Sequence, residues 1–413
     1  MGLGDEWEVS DVWFEERGGA QDEPHAGVAH RKGQAAECPV CHRKRGTYDT
    51  RERTWRHLDI WQYETIVHCA VPRADCPEDG VHACRMPWEV RPSSHFTALF
   101  EAQVIVMALS GMAVTAIAHL VHETDARIWR LLGKAVAEAR DAAGYSDVVR
   151  VGIDDTARRR GQSCISIMAD LDGQRVIAVT EGRDKGAVGR LCGELEGHGG
   201  DRTKVQEVTR DMAEACSLGV AAEMPQAVQT VDRFHVVQLL NRAIDHVRCA
   251  KKRRQLAGTK YVWLQGKESL TERQLAKREE LDPAKTHLRT ARACQMGEAL
   301  QDVYSCAGRE SAARALDRLC SWMMHSNVRE MKTVARTLRK EREGILNWWK
   351  RGSTNSFLEG LNSVVQSVRS AARGFRSIAY FRTMIFLRLG RLDFTAQKLS
   401  LIHISEPTRR TPI

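Results

Sequence analysis

The sequence lacks a long apolar segment. A helix that spans a membrane needs about 18 to 20 consecutive apolar residues, and no stretch of the 413 residues reaches that length. The longest candidate, around residues 96–109, contains Glu101 and Gln103. Residues 1–17 are acidic and have no apolar core of the kind that a secretory signal peptide carries. These absences predict a cytoplasmic protein without membrane spans, in which cysteines stay reduced.

The composition is otherwise that of a globular protein with an excess of basic residues. Hydrophobic residues make up 43% and charged residues 28% of the chain, which is ordinary for globular proteins. A chain of 413 residues is long enough for two or more domains, each with its own core. The net charge of +9 favours a polyanionic partner, chiefly nucleic acid.

Five of the twelve cysteines crowd into one short segment, which predicts a metal site and not disulfides. They are Cys38, Cys41, Cys69, Cys76 and Cys84. Cys38 and Cys41, with two residues between them, form a knuckle that presents two thiolates to one tetrahedral ion. Cys76 is the third predicted ligand. His82 is our choice for the fourth, and Cys84 and Asp79 remain alternatives. A structural zinc ribbon is the main hypothesis, and a metal-free cysteine-rich β-segment is the alternative.

Two helices that follow the cysteines predict a helix-turn-helix. Residues 113–121 form one short apolar-periodic segment, and Asp125 is placed to cap a second helix. Three basic residues share the outer face of that second helix, and we take them as candidate DNA contacts: Arg127, Arg130 and Lys134. A plain helical hairpin with a solvated basic face is the alternative.

The next segment alternates in the order typical of a ribonuclease-H-like α/β sheet. Three apolar strands (148–153, 163–169 and 175–180) precede a helix, a fourth strand that ends before Asp211, a further helix and a fifth strand (227–231). In that order the first and fourth strands lie side by side. The sequence therefore predicts that Asp154 and Asp211 are neighbours.

A third acid, Glu359, lies far along the chain in a predicted helix. It is the one charge on a polar strip that includes Asn362, Ser363 and Gln366. Three arginines follow it and are candidate phosphate contacts: Arg369, Arg373 and Arg376. Converging carboxylates bind Mg²⁺, and two such ions can act on both sides of a phosphodiester displacement. The three acids predict a metal-dependent enzyme that acts on DNA.

The stretch between Asp211 and Glu359 is almost wholly helical and too long for a loop, so we interpret it as an all-α insertion into the catalytic fold. The basic run at residues 251–254 is either a solvated helix face or a contact with the DNA backbone. The predicted organisation is a poorly ordered arm (1–36), a zinc module (37–92), a helix-turn-helix (93–146), the first part of the core (147–240), the insertion (241–350), the core's C-terminal helices (351–394) and an atypical tail (395–413).

By its motifs the chain resembles the ISL3-type bacterial insertion-sequence transposases over nearly its whole length. The most specific motifs are Val151-Gly152-Ile153-Asp154-Asp155, Val231-Asp232-Arg233-Phe234-His235 and Glu359-Gly360-Leu361-Asn362. Two residues depart from the family pattern: Asp155 stands where Glu is usual, and Asp79 where His is usual. The likeness stops after Phe394, and residues 399–413 resemble read-through into sequencing-adapter DNA. We therefore expect a tail that is not native.

The resemblance implies a DDE transposase that contains structural Zn²⁺ and uses two Mg²⁺ ions. Asp154, Asp211 and Glu359 would be its catalytic acids. Three further residues are interpreted as supporting the site: Asp155, Asp232 and His235. For the last two, the alternative is a helix-capping Asp and a packed His. The implied partners are double-stranded DNA, both element ends and target, and further copies of the chain in a dimer or larger assembly. A catalytically inactive DNA-binding regulator and a nuclease that never joins strands are the alternative functions.

Overall fold

A computed structural model of the chain describes residues 3, 5–15, 23–31, 33–92, 94–157, 164–250, 269–280, 289–351, 356–371, 375 and 377–395. The chain divides into two compact units. Unit 1 comprises Met1–Ala143 and Ser367–Ile413, and unit 2 comprises Gly144–Gln366. Among the helices in the described ranges, none has the length and apolar character that a membrane crossing requires.

Unit 1 begins with a five-stranded sheet and a two-stranded hairpin. The strands are β1 (Trp7–Glu15), β2 (Glu23–His30), β3 (Ala36–Glu37), β4 (Lys44–Arg45), β5 (Thr47–Arg56), β6 (Ile66–Cys76) and β7 (Gly80–Ala83). The large sheet has the order β1-β2-β6-β5, with β7 also paired to β6, and β3 pairs with β4. Its apolar face buries Trp55, Val67, Val71 and Trp88.

The described residues of the N-terminal arm (3, 5–15, 23–31 and 33–36) include the strands β1 and β2, which differs from the expectation of a poorly ordered segment over residues 1–36. β1 and β2 form an antiparallel pair, and β2 joins the sheet in parallel with β6. Trp7 anchors the arm, since its ring lies edge-on to that of Trp88 at a centroid distance of 5.2 Å. Backbone pairing with a strand that lies about 40 positions later is a non-local interaction, which local composition does not indicate.

Four helices complete the described part of unit 1. They are α1 (Ala98–Leu109), α2 (Val114–Leu120), α3 (Asp125–Asp141) and, from the C-terminal segment, the helix Ile378–Leu389. In α3 the predicted apolar residues Ile128, Leu131, Leu132 and Val136 are buried. Asp125 is the first helical residue and Thr124 occupies the capping position, so Asp125 acts on the helix dipole and not as the cap.

The helix Ile378–Leu389 packs against α1 and α3 within unit 1. Tyr380 stacks on Trp129 with ring centroids 4.2 Å apart. Arg388 donates to the backbone carbonyl of Ala108 at 3.2 Å, which satisfies a group at the end of α1. Sequence reasoning had grouped residues 351–394 with the catalytic core, and for this helix the contacts differ from that expectation.

Unit 2 contains a mixed five-stranded sheet in the order β10-β9-β8-β11-β12. The strands are β8 (Arg150–Ala157), β9 (Cys164–Asp170), β10 (Arg175–Glu181), β11 (Glu207–Arg210) and β12 (Val228–Val231). The first three strands form an antiparallel meander, and β11 runs parallel to both β8 and β12. The order follows the sequence expectation, since β9 and β10 are buried and mostly apolar runs between turn residues. The bounds agree less well, because β8 is Arg150–Ala157 where 148–153 was expected, and β11 is buried although three of its four residues are polar.

Ten helices of unit 2 lie in the described ranges. They are α4 (Lys185–Gly197), α5 (Glu214–Glu223), α6 (Arg233–Ala250), α7 (Glu272–Glu280), α8 (Arg289–Tyr304), α9 (Arg309–His325), α10 (Arg329–Lys340), α11 (Arg342–Leu346), α12 (Trp348–Arg351) and α13 (Ser356–Ala371), whose last turn belongs to unit 1. The unit 1 helix Ile378–Leu389 is numbered α14 below. Helix α6 continues across residue 240, where a domain boundary was expected, and shares a core with α8–α11 and the end of β12.

Candidate active site and metal centre

Two acids lie side by side at one edge of the sheet in unit 2. The parallel strands β8 and β11 pair Ile153 with Arg210, and the next residues along the two strands are Asp154 and Asp211. β8 itself continues to Ala157 by antiparallel pairing with β9. Asp154 therefore lies within its strand and not at its end. Its side chain is buried, and the side chain of Asp211 is half-buried.

Asp211 is held by the chain that follows it. Its Oδ1 accepts a hydrogen bond of 2.8 Å from the backbone amide of Ala213, just before α5 begins. This is an Asx turn, which fixes a carboxylate relative to its own backbone. The second oxygen remains for other partners.

Asp155 adds a third carboxyl to this edge. Ser166 Oγ lies within hydrogen-bond distance of Asp155 Oδ1 and 2.8 Å from the carbonyl oxygen of Gly182. A hydroxyl donates one proton and a carbonyl oxygen only accepts, so both bonds form together only when Asp155 is protonated. Burial raises the pKa of Asp155 to about 6, and the negative charges of Asp211 and Asp154 contribute to this rise. The acids are close enough for their charges to oppose one another.

Asp232 and His235 bring a histidine to the same acids. Asp232 Oδ1 accepts from the backbone amide of Phe234 at 2.8 Å at the start of α6. His235 Nε2 lies 3.4 Å from Asp154 Oδ1 and 3.9 Å from Asp232 Oδ2. Burial acts to lower the pKa of His235, but the contact with Asp154 and the negative charges of Asp154, Asp232 and Asp211 together outweigh it, so the net pKa is raised. Asp232 thus caps a helix, as one alternative expected, while His235 contacts the first acid.

Arg210, the residue before Asp211, belongs to a second buried group of polar and charged side chains. Arg210 donates to the carbonyl oxygen of Asp211 at 2.7 Å, to Gln229 Oε1 at 2.6 Å and to Glu341 Oε2 at 2.9 Å. Arg210 and Glu341 are both buried. Sequence reasoning missed this network, and the one signal for it was the position of Arg210 immediately before Asp211.

The third predicted acid, Glu359, lies on α13 by its backbone, and its side chain is outside the described residues. Arg369 is on the same helix and is half-buried. Arg373, Arg376 and the basic run at 251–254 lie outside the described residues, as does almost all of the 395–413 tail. Their predicted roles therefore stay predictions.

Unit 1 holds a compact group of potential metal ligands. One ligand atom from each of Cys38, Cys41, Cys76 and Asp79 lies within 4.8 Å of the others. The Cys41 and Cys76 sulfurs are 3.6 Å apart, close to the roughly 3.8 Å edge of a tetrahedron with Zn–S bonds of about 2.3 Å. Among the described residues this is the one such group of three or more potential ligands.

The fourth member of this group is Asp79 and not His82. Asp79 Oδ2 lies 3.3 Å from Cys76 Sγ and 3.8 Å from Cys38 Sγ. His82 turns away, with Nε2 2.7 Å from the backbone carbonyl of Asp79. Cys84 is buried outside the group. The turn that ends at Gly80, with φ of +87°, directs the Asp79 side chain towards the cysteines, and sequence spacing did not indicate this direction.

The predicted basic face of α3 lines a concave surface in unit 1. Arg127, Arg130 and Lys134 surround it together with Arg91. Arg127 forms an ion pair of 2.8 Å with Glu123 and lies over the ring of Phe96, whereas Arg130 and Lys134 are exposed. Arg91 binds Glu138 at 2.7 Å.

Comparison with known families matches three parts of the chain. Residues 151–385, more than half of the chain, match the transposase model of the ISL3 family. The chain belongs to the ISL3 family of transposases. Residues 34–82 of this transposase match a zinc-finger model of insertion-sequence transposases, and residues 86–136 match the family's helix-turn-helix domain. The predicted order of a zinc ribbon, a helix-turn-helix and a DDE transposase domain is thereby confirmed.

Curated relatives cover most of this ISL3 transposase. It is 27% identical over 408 residues to the transposase for insertion sequence element IS1557 from two strains of Mycobacterium tuberculosis, with 89% of each chain covered. It is 25% identical over 357 residues to the transposase for insertion sequence element IS1001 from Bordetella parapertussis, with 83% of this chain and 86% of the relative covered. The zinc-finger match and the cysteine group of unit 1 together support structural zinc.

Proposed function

We propose that this ISL3 transposase cleaves DNA at the ends of its insertion sequence and joins those ends to target DNA. Asp154, Asp211 and Glu359 would be the catalytic acids. The observation that carries the proposal is the register of β8 and β11, which leaves Asp154 and Asp211 adjacent where the parallel pairing stops. Family membership alone does not identify the acids, and this register supports the choice of two of them.

The proposal includes the fold of the catalytic unit. An antiparallel meander followed by two parallel strands, in the order β10-β9-β8-β11-β12, is the arrangement expected for a ribonuclease-H-like sheet. The helices between α6 and α13 would then be the all-α insertion. Helix α6 crosses the boundary first expected at residue 240, so we propose that the insertion grows out of this helix.

The acid cluster has the chemistry for a divalent cation. Carboxylate oxygens are the ligands that Mg²⁺ prefers. Burial raises the pKa of Asp155, and the negative charges of Asp211 and Asp154 add to this rise. A cation at this position would offset those negative charges. When bound between these acids and Glu359, two Mg²⁺ ions would supply the charge stabilisation that an in-line phosphodiester displacement needs.

The protein's own residues would orient the reacting groups. Asp211 would be fixed by its bond from Ala213, and Asp154 by its place within β8. His235, whose Nε2 lies near both Asp154 and Asp232, would hold the Asp154 carboxylate and, when protonated, balance part of the negative charge of these acids. Water would break the phosphodiester bond at the element end and release a 3′-hydroxyl, which then attacks a phosphodiester of the target.

Unit 1 would recognise the DNA. The zinc ribbon and the helix-turn-helix would bind the terminal inverted repeats, with Arg130 and Lys134 as exposed contacts to phosphates or bases. Arg369, Arg373 and Arg376 would contact phosphates. Because two element ends are joined to one target, we propose that the chain acts as a dimer or larger assembly.

The test is cleavage and strand transfer on DNA that carries the element's own end, in Mg²⁺. We expect wild type to cut at the element boundary and to join the cut end to a second duplex. Asp211→Asn and Glu359→Gln should each reduce both steps by on the order of 10²- to 10³-fold, with DNA binding unchanged. Asp172→Asn, at the exposed turn after β9, is the control and should cut normally.

Three other outcomes would contradict the proposal in different ways. Binding without cleavage would indicate a DNA-binding regulator. Cleavage without joining would indicate a nuclease. Cleavage that survives both substitutions would show that the acids lie elsewhere.

A further inference from the structure

Arg210 connects three parts of unit 2 from one buried position. Its guanidinium reaches the main-chain carbonyl of Asp211, the side chain of Gln229 on the edge strand β12, and Glu341 between α10 and α11. Arg210 is 4% exposed and Glu341 is 7% exposed. A planar guanidinium with fixed donor directions constrains the relative positions of its partners more than a flexible ammonium group does.

The segment that carries Glu341 is packed directly against the sheet. Asn347 donates from Nδ2 to the backbone carbonyl of Gln229 at 2.9 Å. A Cβ on Gly344 would lie 2.7 Å from Val231 Cγ2, so α11 approaches β12 as closely as a glycine allows. Docking of the helical segment and the position of the Arg210 side chain are therefore mechanically joined.

Apolar side chains could fill the volume that Arg210 and Glu341 occupy, so packing alone does not explain why both residues are charged. Replacing a buried ion pair by apolar residues of similar volume is often neutral or stabilising, whereas removing one partner leaves an uncompensated charge. What this pair adds is direction: with Glu341 present, the Arg210 guanidinium remains aimed at the Asp211 carbonyl.

We propose that Arg210 and Glu341 are positioning residues that make the placement of Asp211 depend on docking of the helical segment against β12. The inference rests on the proposed role of Asp211 as a catalytic acid. Loss of the Glu341 carboxylate would let the Arg210 side chain turn away and free the backbone at Asp211. A movement of the helical segment relative to β12 would then change the position of Asp211.

The test compares Glu341→Ala with the conservative Glu341→Gln, which keeps an accepting oxygen for Arg210. In the cleavage assay we expect Glu341→Ala to raise the half-saturating Mg²⁺ concentration about 10- to 100-fold, the range seen when outer partners of metal ligands are removed. The KM for DNA should not change. Glu341→Gln should recover most of the loss.

Hydrogen exchange gives a readout that does not depend on activity. The amide of Ala213 donates to Asp211 Oδ1, so its protection reports whether the Asp211 turn is held. Glu341→Ala should speed exchange in the segment 211–213 on the full-length protein. Glu341→Gln should leave exchange there close to wild type.

Asp170→Asn is the matched control. Asp170 is a buried acid of the same sheet whose Oδ2 lies 3.0 Å from Arg175 Nε, and it pairs with Val151 at the start of the β8–β9 ladder, whereas Asp154 pairs with Ile167 in the middle of that ladder. If it shifts the Mg²⁺ requirement and the 211–213 exchange as much as Glu341→Ala does, the pair is only structural and the proposal is overturned. If wild type does not cleave at all, the proposed function fails. Unchanged hydrogen exchange at residues 211–213 in Glu341→Ala would then still overturn the positioning role of Arg210 and Glu341, and faster exchange would still support it.

Discussion

The two candidate metal sites of this protein are built in opposite ways. In unit 1, three sulfurs and one carboxylate already lie within 4.8 Å of one another, around two fully buried cysteines. In unit 2, the acids are brought to the same end of two parallel strands by strand register, and hydrogen bonds hold Asp211 and Asp155. The first arrangement would close around one ion, and in the proposed function the second would hold ions together with a substrate.

This difference follows from what each site has to do. A structural zinc site fills all four positions with protein ligands, whereas a catalytic site keeps positions open for water and substrate. The cysteine group contributes to the stability of unit 1 through metal binding. In the acid group, burial and the neighbouring charges raise the pKa of Asp155, and contacts with Ala213, Ser166 and His235 hold the carboxyl groups.

The largest effect should come from removing a ligand of the cysteine group in unit 1. Cys38→Ser should remove the zinc, and structural zinc contributes on the order of 10 kcal/mol to the folding of small zinc modules. We expect unit 1 to lose its ordered β-structure and the protein to lose DNA binding. Zinc content by atomic absorption and tryptophan fluorescence would measure this. Cys249→Ser, an exposed cysteine on α6, is the control, and a full zinc content in Cys38→Ser would contradict the assignment.

A smaller effect should separate the two candidates for the fourth ligand. Asp79→Ala should weaken zinc binding by at least about 10- to 100-fold, because it removes the carboxylate beside Cys38 and Cys76. His82→Ala should leave zinc affinity unchanged. Competition with a chromophoric chelator measures both, and cobalt substitution reports the ligand set. The reverse ranking would restore His82 as the ligand.

In the acid group of unit 2, the corresponding substitution removes the histidine beside Asp154. His235→Gln should lower the cleavage rate about 10- to 100-fold, since outer-sphere partners of metal-binding groups contribute in that range. Zinc content and DNA affinity should stay at wild-type values, because both belong to unit 1. His246→Gln, exposed on the same helix, is the control. A full cleavage rate would mean that His235 is only packed.

The smallest effect concerns a half-buried histidine in unit 1 that is independent of the zinc. His57 Nδ1 lies 2.8 Å from Thr97 Oγ1, and burial lowers the pKa of His57 to about 4 from its ordinary value near 6.5. Between these values the unfolded chain takes up a proton that the folded chain does not, so stability is complete above about pH 6.5 and falls as the pH drops towards 4. From pH 7 to pH 5 the loss should be about 2 kcal/mol.

Urea unfolding at several pH values measures this loss, with zinc release followed in parallel. His57→Gln should flatten the pH dependence, and His119→Gln, exposed on α2, should not. An equal slope in wild type and His57→Gln would assign the acid sensitivity to other groups.

The sheet of unit 2 could be predicted because its information is local. β9 and β10 are short apolar runs between turns, and the order of elements limits how the strands pair. The neighbouring positions of Asp154 and Asp211 follow from that order alone. The pairing of Cys38 and Cys41 at one metal site could be predicted equally well, since a spacing of two residues between cysteines is typical of a zinc knuckle.

The features that sequence reasoning missed depend on contacts between distant residues or on the direction of one side chain. β2 pairs with β6 about 40 positions later, and Tyr380 stacks on Trp129. Arg210 meets Glu341 across 131 positions. Asp79 and His82 are three residues apart, and only the backbone of the turn decides which one faces the cysteines.

The place of α14 in unit 1 has a consequence for synthesis. The helix contacts α3, yet the residues between Asp141 and Ile378 must all be translated first, a separation of 378 − 141 = 237 positions. At a translation rate of about 5–20 residues per second, α14 is synthesised on the order of 10 to 50 s after α3. The DNA-recognition unit is thus completed only after the catalytic unit has been made.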